Sequence, residues 1–130
     1  MKGCYILLIK LDKDLSIDIG KLGNIDFKKG FYVYVGSAMN NLEPRIERHL
    51  IKEKKFHWHI DYLLEKAKII NVYCKEGNIR EECKIAKTLN QHISFIPNFG
   101  CSDCLCKSHL FYGDINKIQD LISNLEMINF

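Results

Sequence analysis

Three strand-length runs, at residues 4–11, 15–19 and 31–35, crowd the start of the chain, and no other feature constrains the fold as strongly. Parallel neighbours need a crossover of a dozen or more residues, usually a helix. The gaps here are short and marked by Gly20, Gly23 and Gly30, so the spacing predicts an antiparallel meander. In the third run the side chains alternate, placing Phe31, Val33 and Val35 on one face and Tyr32 and Tyr34 on the other.

Downstream the period changes to that of helices. A helix is expected after Asn40-Asn41, with Pro44 tolerable in its first turn and Leu42, Ile46 and Leu50 as its buried stripe. Further helices are expected over 60–67, 79–93 and 116–127, and a strand over 69–74. Residues 95–107 show no clear period and hold half of the six cysteines. The expected fold is α/β of the α+β type: a small, mainly antiparallel sheet flanked by helices, in one domain over 1–130.

The longest apolar runs fall far short of the ~20 residues a membrane span needs, so no membrane partner is expected. Lys2, Gly3 and Cys4 open no signal-peptide pattern, and a cytoplasmic location is the expectation. In that setting Cys4, Cys74, Cys83, Cys101, Cys104 and Cys106 read as thiols or metal ligands rather than as a disulfide framework. The net charge of +3 says little alone, but Arg45, Arg48, Lys52, Lys54 and Lys55 cluster in one stretch. That stretch is either a solvated helix face or a patch facing phosphates.

Four positions invite chemistry. Tyr34 stands beside Gly36, where a ligand can approach closely, although paired aromatics on a sheet give the same pattern. Arg45 and His49 are one helical turn apart, beside the apolar stripe and so at the rim of the sheet. A rim guanidinium suits a phosphate or an ordinary surface ion pair. Glu82 shares a helical face with Ala86, Leu89 and Ile93, which puts a carboxylate at the edge of an apolar stripe. Either a cation or a salt bridge to Arg45 or a lysine would offset its desolvation. His57, His59 and Asp61 read as the edge of a packing element or a support for the site, with a separate metal as the alternative. Cys101, Cys104, Cys106 and His109 would close a Zn²⁺ tetrahedron. The Cys-x-Cys step is unusual for zinc, and a thiol cluster packing the loop is the preferred reading.

In order along the chain, Gly3-Cys4-Tyr5, Tyr34-Val35-Gly36, Arg45 with His49, and Glu82 resemble the pattern of GIY-YIG nucleases. The chain resembles more closely a small, largely uncharacterised DUF123-like subgroup, sometimes fused to endonuclease-III-type repair enzymes. The residues that carry this are Tyr34–Ala38, Arg48-His49, the block His57-Trp58-His59-Ile60-Asp61, Glu82-Cys83, and Gly100-Cys101-Ser102-Asp103-Cys104. The resemblance runs from about Gly3 to Tyr112 and leaves the last helix, within 113–130, outside it. Against that pattern the stretch between Tyr5 and Tyr34 is long, and the strand at 15–19 reads as an insertion.

The resemblance implies a nuclease that hydrolyses phosphodiester bonds with one Mg²⁺ or Mn²⁺ on Glu82. Tyr5 or Tyr34 would help deprotonate the water, and Arg45, assisted by His49, would stabilise the transition state. Arg45, Arg48, Lys52 and Lys55 would contact the nucleic acid, DNA in preference to RNA, with base-excision repair proteins as partners. The alternatives are a non-catalytic nucleic-acid-binding module on the same fold and a zinc-stabilised interaction domain.

Overall fold

The computed structural model describes residues 2–52, 54–101 and 106–130. Within them the first half runs β1 (Gly3–Leu11), β2 (Leu15–Asp18), β3 (Asn24–Phe27), β4 (Gly30–Ala38), α1 (Leu42–Leu50) and α2 (His59–Leu64). The second half runs β5 (Lys68–Glu76), α3 (Glu82–Asn90), β6 (Ser94–Phe95), β7 (Leu110–Gly113), α4 (Ile115–Asn124) and β8 (Ile128–Asn129). Six strands form one sheet in the order β6-β7-β4-β1-β5-β8, with antiparallel pairing throughout. The α+β class is therefore as expected. No helix among the described residues is long and apolar enough to cross a membrane.

β1 lies at the centre because its apolar run is continuous rather than alternating, so both faces must be covered. One face carries Tyr5, Leu7 and Ile9 with Tyr32 and Tyr34 of β4, and it packs beneath α1, α2 and the β2–β3 hairpin. The other carries Cys4, Ile6 and Leu8 with Val33 and Val35, and it packs against α3 and α4. The alternation read from β4 holds.

The meander does not. β1 pairs directly with β4, and β2 pairs only with β3 as a separate hairpin. With four residues and Ile17 as its buried side chain, β2 is too short to widen a sheet and instead folds over the helical layer. Its turn passes beneath Tyr62 at Gly20, whose φ of +52° excludes most side chains.

The stripe of α1 is also corrected. Leu42 and Ile46 are fully buried, but Leu50 is half exposed and His49 is buried in its place. His49 lies two turns from Leu42 at nearly the same azimuth, whereas Leu50 sits a further ~100° round. α3 starts at Glu82 rather than near Ile79, which is exposed. β3, β6, β7 and β8 had no periodic signal, since strands of two to four residues are too short to show one.

Candidate active site

β4 ends and β1 begins at the same edge of the sheet, and there the structure opens a cleft of ≈ 520 Å³. Tyr5 and Gly36 are direct partners across these strands. A Cβ at position 36 would stand 2.4 Å from both Cζ and the hydroxyl of Tyr5, so only glycine admits the ring. Tyr34 projects from the same face two residues earlier, its ring centroid 6.5 Å from that of Tyr5. Burial pushes both phenols well above their ordinary pKa, and the charge of Glu82 adds to the rise in each.

Arg45 reaches the cleft from α1. Its Nη1 donates to the Ser37 carbonyl at 3.0 Å, and its guanidinium lies 4.6 Å from the centre of the Trp58 ring. Hydrogen bonding on one side and ring stacking on the other hold it at the wall, where it opposes the rise in the Tyr5 pKa.

Glu82 arrives from the far layer. Its helix packs on the other face of the sheet through Ile85, Ala86 and Leu89, yet Glu82 is the first helical residue and turns over the sheet's end into the cleft. The positive end of the helix dipole favours a carboxylate there. Its oxygens stand 3.5 Å from Arg80 Nη1 and 4.0 Å from His109 Nδ1, beyond the usual hydrogen-bond length, which leaves them available as ligands. A hard cation that keeps most of its waters needs little more than one such carboxylate, so this donor fits Mg²⁺ or Mn²⁺.

His49 does not line the cleft, and its expected place at the rim is corrected: it is buried behind Tyr5. Its Nε2 and the Tyr5 hydroxyl are 2.7 Å apart, and its buried Nδ1 has no partner among the described residues. Burial, with Lys54 as the next cause, lowers its pKa to about 3, so the imidazole is neutral. It reaches the cleft only through the phenol.

Of the other expected phosphate contacts, Arg48, Lys52 and Lys55 do not line the cleft. The Arg48 fork grips both oxygens of Asp61 at 3.0 Å and also donates to the Lys55 carbonyl. Lys52 reaches the carbonyls of Leu64 and Ala67 at 3.3 Å, and Lys55 is exposed. Among the described residues His57, His59 and Asp61 do not bring their ligand atoms together, and two of the three are engaged elsewhere. Asp61 is fully buried and accepts from Arg48 and from the backbone N–H groups of His57 and Trp58. His59 Nδ1 accepts from the Gly100 N–H at 2.9 Å, which ties the Gly100 loop against Tyr34.

Sequence reasoning did not place Arg80, Trp58, Ser37 or Gly100 on the cleft, although all line it. Arg80 was legible as the cation two residues before Glu82, but the others needed the tertiary path of the chain. Among the described residues, of those weighed as a thiol cluster or zinc set, Cys106 and His109 come together with Cys83, which the sequence pattern did not include. Cys101 directs its thiol to the Phe99 carbonyl, and Cys104 lies outside the described residues.

An antiparallel sheet with helices on both faces defines the class, a small α+β domain, and a polar cleft at one strand end brings two phenols, a guanidinium and a carboxylate together. The model of the family described as "Domain of unknown function DUF123" matches residues 4–129, a span that includes α4, and the chain belongs to that family. No curated protein and no solved structure matches the chain.

Proposed function

We propose that the cleft binds and hydrolyses phosphodiester bonds in DNA, as a divalent-metal-dependent nuclease of the GIY-YIG type. The observation that carries the reading is that Tyr5, Tyr34, Arg45 and Glu82, from β1, β4, α1 and α3, line one cleft although α3 belongs to the opposite layer. A backbone phosphate is recognised by the Arg45 fork, already oriented by Ser37 and Trp58, so little ordering is left for binding. The same guanidinium neutralises charge as it builds on the phosphate oxygens. Tyr5 takes the proton of the attacking water while its own passes to His49 Nε2, and the negative phosphate favours the imidazolium so formed. Tyr34 offers a second hydroxyl from the same wall. A divalent ion on Glu82 would supply water acidification and charge neutralisation.

A second reading has its own support. The pKa values of both phenols are raised and that of His49 is low, so in the free protein this pair is not poised to accept a proton near neutral pH. That favours a module which grips nucleic acid without cutting it. Labelled branched and linear DNA incubated with Mg²⁺ or Mn²⁺ separates the two. Metal-dependent cutting that falls by about 10²-fold or more in Tyr34→Phe, Glu82→Ala and Arg45→Ala is the expected result. Tyr34→Phe and Glu82→Ala should still bind. Binding without cutting by the wild-type protein under every metal would leave the binding module.

A further inference from the structure

We propose that Cys83 Sγ, Cys106 Sγ and His109 Nε2 form a Zn²⁺ site that clamps the first turn of α3 to the segment entering β7. The three ligand atoms lie within 4.8 Å of one another although Cys83 is remote in sequence from the other two. Cys83 Sγ and His109 Nε2 are 3.8 Å apart. Two such ligands on a tetrahedral zinc, at the usual Zn–S and Zn–N lengths, would be about 3.6 Å apart. One pair is therefore nearly at the binding separation, and the widest needs closure of only about an ångström.

Two sulfurs and an imidazole form a soft donor set that selects zinc over Mg²⁺ or Ca²⁺, so this site is distinct in kind from the hard carboxylate of Glu82. His109 is buried, and both cysteines are half-buried. Cys83 lies in the first turn of α3, where the helix dipole favours a thiolate. Cys106 and His109 follow a Cys-x-x-His spacing on a backbone already fixed by Asn98 N–H to the Lys107 carbonyl and His109 N–H to the Phe99 carbonyl. Three corners of the tetrahedron are thus supplied, and water or another donor takes the fourth.

The site also bears on the cleft. With Nε2 on the metal, His109 turns Nδ1 toward Glu82 Oε2, 4.0 Å away. A carboxylate behind the free nitrogen of a zinc-bound imidazole fixes the ring and raises its basicity. The clamp would hold Glu82 over the sheet's end by the residue next to it.

Full-length protein prepared with Zn²⁺ and without chelator should hold about one zinc per chain by elemental analysis. Replacement by Co²⁺ should produce the thiolate-to-cobalt charge-transfer band of a tetrahedral site. Cys83→Ser and Cys106→Ser should each lose the ion, and Cys101→Ser should keep it. Should a variant not fold, the wild type decides: zinc should shield Cys83 and Cys106 from alkylation, mapped by peptide mass, until a chelator releases it. A zinc-free chain with no cobalt–thiolate band overturns the proposal, as does zinc that survives Cys83→Ser, or equal alkylation with and without metal. None of these readouts uses nucleic acid, so they stand or fall apart from the nuclease assay.

Discussion

At Asp61 a carboxylate with no solvent exposure accepts the Arg48 fork and two backbone N–H groups. Burial alone would raise its pKa, but the Arg48 hydrogen bonds and the N–H groups of Trp58 and His57 outweigh it and hold the pKa down. Removing the guanidinium would strand a buried charge. Arg48→Ala should therefore cost about 3 kcal/mol or more, and Arg48→Lys should recover only part, because one ammonium cannot serve both oxygens. Urea unfolding midpoints would measure both. His49 sets a pH dependence of opposite origin. Its folded pKa of about 3 lies below the ordinary 6.5, so the unfolded chain binds the proton more readily and stability falls as the medium is acidified between those values. At pH 5 this one group should have cost about 2 kcal/mol relative to pH 8, and His49→Gln should flatten that part of the slope in unfolding measured at both pH values. Gly36→Ala forces a methyl group into the Tyr5 ring, and a loss of about 1–3 kcal/mol is expected by the same assay.

Among the elements, the β2–β3 hairpin and α3 show how far local pattern reaches. The hairpin is held down by Ile17 and by Phe27, which is buried with its ring edge-on to Tyr32 at 5.8 Å. Phe27→Ala should cost about 3–5 kcal/mol in urea, yet leave zinc uptake at the proposed site unchanged, because Phe27 packs on the face of the sheet away from α3. The face alternation of β4 was legible because it is imposed by the backbone at every second residue. The buried stripe of α1 was legible at Leu42 and Ile46 and misread at Leu50, since apolar chemistry suggested leucine while the azimuth required His49. A histidine can be buried there because Nε2 meets a phenol, and sequence pattern does not register the pairing.

Over the whole molecule a net charge of +3 is modest, and Arg45 and Arg80 are the guanidinium groups on the cleft itself. If both meet phosphates, log Kd for duplex DNA should change with log salt at a slope of magnitude about 2, and Arg80→Ala should lower it by about one. Titrations at several salt concentrations would read it. The long strands, the helices and the alternation of faces along β4 are written in the chain itself, because alternation and the helical turn are steric properties of neighbouring residues. Which thiol meets His109, which carboxylate receives Arg48, and how Glu82 comes round from the opposite layer to stand near Tyr5 are not written there. Those pairings join residues far apart in sequence, and they follow from where the sheet ends and how α3 packs across it.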